Sequence, residues 1–354
     1  MKIYIRATGN ISPQKTFGHP SFPQELTKQT GNRLACMEPD YKDLIDVRLI
    51  RRMSRIIKMG VAAAMECLQE AGEINPGAII TGTAYGCLED TGLFLTKMIE
   101  NNEELLTPTA FIQSTHNTVG AQVALMLSCH RYNNTFVHRG FSFESAVLDG
   151  LMLLLDREAE NVLVGSVDEI TNISHTILSR FGIYKRTGDS SNLFTGPASR
   201  GTLAGEGAAF FLLAGEPSST DYGCLDAITT FYKPQNTEEI EDQISLFLSS
   251  KQIVMDEVDL IILGRNGDNR TDQVYDLLTH SIFTGKEVVN YKHLCGEYPT
   301  SISFAMWLAA HILKTSAFPF VTKCTKKQEK PVKRILIYNH YQNIHHSLVL
   351  LSAC

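Results

Sequence analysis

The chain has 354 residues, of which 44% are hydrophobic and 20% are charged, and its formal net charge is −6. This length suffices for one large domain or two ordinary ones with a sizeable buried core. The acidic balance argues against a general affinity for nucleic-acid phosphates. No apolar run approaches the roughly 18 to 20 residues of a membrane span, and the first six residues lack the apolar core of a signal peptide.

In chain order, apolar runs alternate with helical patterns, which predicts an α/β fold. The predicted strands of the first half are Met1–Ala7, Ala78–Ile80, Thr135–Val137, Asn161–Gly165 and Ala208–Leu213, and its predicted helices are Leu49–Ala71, Leu88–Asn101, Thr118–Ser128 and Ser142–Glu158. After a polar stretch at 216–222 the order starts again. The predicted elements there are the strands Asp259–Leu263, Arg334–Tyr338 and Ser347–Leu351 and the helices Thr271–Leu278 and Ser301–Leu313.

The second series of elements resembles the first and indicates an internal duplication. The short apolar helix Ser301–Leu313 is matched with Thr118–Ser128, because Gly264 precedes Ile302 by the same distance as Gly82 precedes Gly120. We therefore predict two similar halves, residues 1–215 and 216–354.

The eight cysteines are scattered and form no Cys-x-x-Cys pair. This distribution predicts neither a disulfide framework nor a zinc site and favours buried, reduced thiols in a cytoplasmic protein. The adjacent His345 and His346 do not indicate a metal site either, since neighbouring residues of a strand point to opposite faces. We expect no metal.

Three motifs occur in order along the chain. Ala7-Thr8-Gly9-Asn10-Ile11-Ser12-Pro13 forms a first strand and turn, Arg51-Arg52-Met53 begins the long predicted helix, and Gly205-Glu206-Gly207-Ala208 enters a core strand. Together they resemble the β-ketoacyl-acyl-carrier-protein synthases over essentially the whole chain, although Ser199 stands where an Arg is usual. The resemblance implies a thiolase-like fold, with two βαβ-containing halves in α-β-α-β-α layers.

In that family a Cys attacks an acyl thioester, and two His stabilise the charge of decarboxylative condensation. A thiolate at the positive end of a helix is a suitable nucleophile, and imidazoles are suitable donors to the developing enolate. Carried onto this sequence, the Cys position falls on Phe141 and the first His position on Asn266. The second His position, which follows the motif's Lys292, falls on Glu297. The family's closing Gly-rich loop is replaced by residues 339–346.

This pattern resembles the degenerate, chain-length-factor-like subunits of type II polyketide systems. The resemblance implies an active ketosynthase or a second copy as partner, and a polyketide, aryl-polyene or fatty-acid-like pathway. It also implies an acyl carrier protein whose phosphopantetheine carries the substrate, without a resident cofactor. The interface or tunnel residues that it implies are Phe111, Gln113, Thr115, His116, Thr135 and Val137.

Two other functions stay open at this stage. Ser142 is a candidate rearranged nucleophile of an active synthase or acyltransferase, with His138 or Glu144 as its base. The chain is alternatively a homodimeric scaffold that binds acyl carrier protein. Two basic stretches are either solvated surface or docking sites for that acidic carrier: a helical one with Arg48, Arg51, Arg52, Arg55 and Lys58, and a loop with Lys323, Lys326 and Lys327.

Overall fold

The computed structural model describes residues 2–19, 22–23, 25–196, 199–315 and 331–354. The helices are α1 Val47–Ile50, α2 Arg55–Ala71, α3 Leu88–Glu100, α4 Pro108–Gln113, α5 Thr118–Leu127, α6 Ser142–Leu155, α7 Asn172–Arg180, α8 Thr237–Ser250, α9 Gln273–His280, α10 Lys292–Cys295 and α11 Ile302–Thr315. The strands are β1 Ile3–Ile11, β2 Arg33–Leu34, β3 Ala78–Gly82, β4 Tyr132–Phe136, β5 Asn161–Asp168, β6 Ala204–Gly205, β7 Gly207–Ala214, β8 Gly223–Tyr232, β9 Leu260–Leu263, β10 Glu287–Asn290, β11 Arg334–Tyr341 and β12 His345–Ser352. In these ranges, no helix has the length and apolar character to cross a membrane.

Ten of the strands form one mixed sheet within the described residues, in the order β10-β9-β11-β12-β8-β1-β7-β5-β3-β4. Its two halves have the same topology. In the first half β3 runs parallel to β4 and β5, and β7 pairs antiparallel with β5 and β1. In the second half β9 runs parallel to β10 and β11, and β12 pairs antiparallel with β11 and β8. The predicted repeat of two similar halves is confirmed in the sheet topology, whereas the boundary between residues 215 and 216 stays a prediction.

Three apolar clusters define five layers. Helices α2 and α5 cover one face of the first-half strands, and α8 and α9 cover one face of the second-half strands. Between the two halves lie α6 and α11, whose residues pack in one cluster with strands of both halves. The α-β-α-β-α arrangement is therefore confirmed. Because both inner helices are apolar on several sides, residues of α11 from Ile302 to Leu313 are buried without exception.

The topology corrects the helix pairing that the sequence indicated. Helix α11 follows β10 as α6 follows β4, and both lie in the central layer. The partner of α5 is α9, which packs beside α8 as α5 packs beside α2. The match between Ser301–Leu313 and Thr118–Ser128 was therefore wrong: similar apolar composition and equal spacing do not reveal which layer a helix occupies.

The predicted helix Leu49–Ala71 is also wrong in its first turns. The chain makes the short helix α1 and then a turn, and α2 begins only after Ser54, whose ψ of 174° is extended. The side-chain amide of Gln113 donates to the Arg52 carbonyl in this turn. The strands β8 and β10 and the helices α4, α7 and α8 were not predicted, although the buried Ile240, Ile244, Phe247 and Leu248 of α8 follow helical spacing.

The two halves of the sheet meet at a short seam. Strands β1 and β8 pair over Ile3–Ile5 and Gly223–Leu225, beyond which they separate. Two carboxylates one helical turn apart on α2 bind the free edge of β1: Glu70 accepts from the Thr8 amide at 2.8 Å and Glu66 from the Asn10 amide at 2.9 Å. They replace the hydrogen bonds of a neighbouring strand, which a buried strand edge requires.

Candidate functional site

The chain turns sharply between β4 and α6, where the family resemblance places the nucleophile. Arg139 has a left-handed φ of 47°, and a Cβ added to Gly140 would lie 2.7 Å from the Cβ of His345. The Phe141 ring meets the His345 ring edge to face at 4.8 Å and stacks with the His138 ring at 5.5 Å. We call these three rings the aromatic wall. Phe141 supplies no atom that can attack a thioester.

Ser142 begins α6, and its buried hydroxyl stabilises the turn before it. Its Oγ accepts a hydrogen bond from the His138 main-chain amide at 2.8 Å and donates to the Arg139 carbonyl at 3.2 Å. Within the described residues, no hydrogen bond joins this hydroxyl to the His138 ring or the Glu144 carboxyl. The geometry therefore gives a rearranged Ser142 nucleophile neither of the two bases considered for it.

The two residues that the resemblance places at the His positions, Asn266 and Glu297, lie together with Lys292 in the interior. Lys292 donates to both Glu297 oxygens, at 3.0 and 2.8 Å, and to the His340 carbonyl at 3.3 Å. The Asn266 side-chain amide donates to Glu297 Oε2 at 2.7 Å. All three side chains are at most 5% exposed. We call Asn266, Lys292 and Glu297 the ionic wall.

The main chain holds the ionic wall in place. Asp272 accepts hydrogen bonds from the amides of Asn266 and Gly267, at 3.0 and 2.8 Å, and so fixes the turn after β9. Glu297 exchanges backbone hydrogen bonds with Leu203 and Gly205, at 2.8 and 3.0 Å. Burial raises the pKa of Glu297, whereas the Lys292 ammonium and the Asn266 amide act in the opposite direction.

The buried carboxyl of Glu144 lies behind the two walls. From the sequence it was considered only as a base for Ser142. Glu144, on the first turn of α6, accepts a hydrogen bond from the Ser347 hydroxyl of β12. Burial raises its pKa to about 7, although the Ser347 bond and Lys292 both lower it. Its second oxygen has no hydrogen-bond partner among the described residues. A neutral carboxyl is therefore substantially populated near neutral pH.

Tyr85, Tyr184 and Tyr341 also surround the site, and no sequence motif indicated them. Burial raises the pKa of Tyr184 and of Tyr341, and Glu297 and Tyr85 lie close enough to raise both pKa values further. Because the three phenols come from separate loops and a strand, no local pattern joins them in the sequence. Among the described residues, no group of three His, Cys, Asp or Glu side chains is arranged to hold a metal ion.

The segment that replaces the family's Gly-rich loop is a tight connection between β11 and β12. Gln342 and Asn343 have left-handed φ values of 56° and 53°. His340, the last buried imidazole before this turn, stacks on Tyr275 at 4.6 Å. Its Nε2 lies 3.1 Å from the Thr271 carbonyl, and its Nδ1 accepts from the Asn343 amide at 3.2 Å. Burial holds the pKa of His340 well below its usual range, so this histidine is a neutral packing residue.

The predicted interface residues lie on or just after the edge strand β4, and on α4 and the turn that follows it. Thr135 is half-buried on the edge strand β4, where its hydroxyl contacts that of Thr81 at 2.7 Å, and Val137 just beyond the strand is exposed. Phe111 on α4 is 57% exposed, although its ring contacts Phe94 at a centroid distance of 5.7 Å. Gln113 and Thr115 are half-buried, and His116 is exposed beside Gly86.

Exposed apolar side chains flank β4 on both sides. Leu125 on α5 is 69% exposed and Met152 on α6 is 61% exposed. We call this set, together with the edge strand itself, the β4 face; its exposed members are Leu125, Tyr132, Val137, Leu148 and Met152. An unpaired edge strand with contiguous apolar flanks is a typical protein-binding surface.

The basic residues considered as docking sites differ in their exposure. Arg55 points inward, where it binds both Glu206 oxygens at 2.7 and 2.5 Å and Glu38 at 2.5 Å. Arg48, Arg51 and Arg52 are exposed around the break between α1 and α2, so the single helical face expected for this stretch was wrong. The other candidates, Lys323, Lys326 and Lys327, lie outside the described residues.

Comparison with known proteins identifies a sequence family for part of the chain and a fold for all of it. Residues 30–179 match the family model of the beta-ketoacyl synthase N-terminal domain. The whole chain is similar to a chain of the ishigamide ketosynthase/chain length factor, with 16% identity, a TM-score of 0.79, and 100% of this chain and 99% of that chain covered. A beta-ketoacyl synthase from Burkholderia phymatum STM815 gives 12% identity, a TM-score of 0.76 and coverages of 100% and 99%.

A further similar structure is the ketosynthase ApeO in complex with its chain length factor ApeC from Xenorhabdus doucetiae, with 16% identity, a TM-score of 0.74 and coverages of 100% and 98%. No curated protein matches the chain in sequence. The fold is thus the thiolase-like fold of the ketosynthases. The sequence match is confined to residues 30–179, which are similar to the beta-ketoacyl synthase N-terminal domain.

Proposed function

We propose that this chain is a non-catalytic subunit that pairs with an active ketosynthase, as chain length factors do. The observation that carries the proposal is the identity of the three catalytic positions, Phe141, Asn266 and Glu297. Condensation requires a thiolate to form the acyl-enzyme and neutral donors to stabilise the enolate. A phenyl ring cannot take the acyl group, and a buried carboxylate repels a developing negative charge.

The ionic wall supports the same conclusion. Lys292 is fully committed to Glu297 and the His340 carbonyl, so its ammonium is not available to a substrate oxygen. Rebuilding a site here would require the separation of a buried ion pair, which costs several kcal/mol. The wall is a closed structural element rather than an open site.

The β4 face supports pairing with another chain of the same fold. An edge strand offers main-chain hydrogen bonds to a second strand. Pairing would also bury the exposed side chains of Leu125 and Met152 against the partner, which is favourable because apolar surface leaves water. The solved structures of similar fold include a ketosynthase with its chain length factor. We therefore propose an active ketosynthase with an intact Cys and two His as the partner, and acyl-carrier-protein thioesters as the substrates of the pair.

The pathway follows from this assignment. We propose polyketide, aryl-polyene or fatty-acid-like biosynthesis, in which this chain contributes to the acyl tunnel of its partner. Carrier phosphopantetheine would enter the partner's site, and no resident cofactor is required in this subunit. Phe111, Gln113, Thr115 and His116 are the residues we assign to the partner's tunnel end.

The test is co-purification with a ketosynthase encoded next to this chain, followed by intact-protein mass spectrometry after incubation with acyl- and malonyl-loaded carrier protein. We expect a heterodimer in which the partner alone gains acyl mass. Leu125→Asp should abolish pairing. The matched control is Leu277→Asp, which changes a leucine that is 48% exposed on α9, in the outer helix layer of the second half.

Two results would contradict the proposal. An acyl adduct on this chain that disappears in Ser142→Ala would establish an acyltransferase with a rearranged site. A homodimer that binds carrier protein but ignores the ketosynthase would establish the scaffold function.

A further inference from the structure

Two cysteines meet at the seam between the halves of the sheet. Cys224 is the second residue of β8, and Cys354 lies two residues beyond the end of β12. The antiparallel register places Ser352 opposite Cys224, which brings the Cys354 side chain back over the same strand. The two sulfur atoms lie 3.3 Å apart.

The two thiols differ in access. Cys224 is completely buried, between β12 on one side and Tyr4 of β1 on the other. Cys354 is exposed. By contrast, the buried Cys129 and Cys295 direct their thiols to main-chain carbonyls, at 3.7 and 3.4 Å. The seam therefore combines one thiol that solvent reaches with a second thiol directly behind it.

We propose that Cys224 and Cys354 are a redox modification site. A low-molecular-weight disulfide such as oxidised glutathione would oxidise the two thiols to an intramolecular disulfide. This inference does not depend on the proposed function. A disulfide bond of about 2.05 Å requires the sulfur atoms to approach by a little more than an ångström. Cys354 lies beyond the last strand residue and is exposed, so its side chain is free to turn toward Cys224, while the Ala353 amide holds the preceding main chain to the Lys333 carbonyl at 2.8 Å.

The reaction has two exchange steps. The Cys354 thiolate attacks one sulfur of oxidised glutathione, forms a mixed disulfide and releases one glutathione thiolate. The Cys224 thiolate then attacks the Cys354 sulfur, forms the protein disulfide and releases the second glutathione thiolate. The protein loses two hydrogen atoms, and one oxidised glutathione becomes two reduced molecules.

Burial of the Cys224 thiol determines the rate of the second step. It raises the pKa of Cys224 to about 12, with the neighbouring Cys354 adding to the shift. Because only the thiolate attacks, ring closure should accelerate about tenfold for each unit of pH between 7 and 9. The mixed disulfide at Cys354 should therefore be a detectable intermediate at neutral pH.

The experiment treats the folded, full chain with oxidised glutathione, alkylates the remaining thiols after denaturation and measures the intact mass. The reduced chain has eight cysteines, and we expect two fewer alkyl groups after oxidation. A non-reduced digest should contain a peptide that joins Cys224 to Cys354. Cys354→Ser should accept all seven remaining alkyl groups, whereas Cys324→Ser, which changes a residue outside the described ranges, should still close the disulfide.

Because Cys224→Ser changes a buried residue, the exposed Cys354→Ser variant is the decisive one. A stable mixed disulfide at Cys354 that never closes, even at pH 9, would overturn the proposal. A linked peptide that joins any other pair of cysteines would do the same.

Discussion

The aromatic wall and the ionic wall lie where the family resemblance places catalytic residues, yet contacts of different kinds hold them together. At the aromatic wall, the Phe141 ring contacts the rings of His138 and His345 and remains half-buried. At the ionic wall, Lys292 and Glu297 are almost completely buried and depend on each other. A ring contact tolerates change, whereas a buried charge that loses its partner does not.

The largest expected effect follows from breaking the ionic wall on one side. Lys292→Met leaves the Glu297 carboxylate without its ammonium, and we expect the free energy of unfolding to fall by about 3 to 5 kcal/mol. Urea denaturation followed by circular dichroism measures this change. The double variant Lys292→Met/Glu297→Gln keeps an acceptor for Asn266 without a charge, and it should recover most of the loss. A double variant no more stable than the single one would mean that the ion pair is not the source of the effect.

The next effect concerns Glu144, which lies behind both walls. Its folded pKa of about 7 is above the value of 4.5 that is usual for Glu, so its contribution to stability is fully present below about pH 4.5 and is lost as the pH rises through 7. Glu144→Gln keeps the shape and the acceptor for Ser347 but cannot ionise. We expect this variant to be more stable than the parent by about 3 kcal/mol at pH 8 and by less than about 1 kcal/mol at pH 5.

Urea denaturation at the two pH values checks this prediction. Glu66 and Glu169 also have pKa values raised to about 7 by burial, so the parent alone does not isolate Glu144. The difference between parent and variant does, because the other carboxyls are common to both. A difference that stays constant from pH 5 to pH 8 would contradict the raised pKa.

A smaller effect is expected from overpacking the aromatic wall. Gly140→Ala places a methyl group 2.7 Å from the His345 Cβ, and neither backbone can retreat without disturbing the start of α6 or β12. We expect a loss of about 1 to 3 kcal/mol in the free energy of unfolding. The control is Gly140→Ala/His345→Ala, which keeps the His345 Cβ but frees its surroundings to move and should recover part of the loss. Equal stability of Gly140→Ala and the parent would show that the turn is loosely packed.

Only part of the site could be predicted from the sequence. The family resemblance placed Phe141, Asn266, Lys292 and Glu297 at catalytic positions, and the structure joins Asn266 and Lys292 to Glu297 by hydrogen bonds. The contact between Glu144 and Ser347 was not predicted, since it joins residues 203 positions apart and involves no motif. Local patterns show which elements exist but not which layer each one occupies.

The smallest expected effect is on activity. The Phe141→Cys variant tests whether a nucleophile is all that the chain lacks for condensation. Phe141→Cys places a thiol at the N-terminus of α6, where the helix dipole lowers a thiol pKa, so alkylation by iodoacetamide should show a reactive new cysteine. We nevertheless expect no condensation product above the parent's background, because Asn266 and Glu297 still stand where imidazole donors are needed. Carrier-protein assays with malonyl and acyl thioesters measure this. Condensation by the single variant would mean that the ionic wall is compatible with catalysis, and that the aromatic wall alone separates this chain from an active synthase.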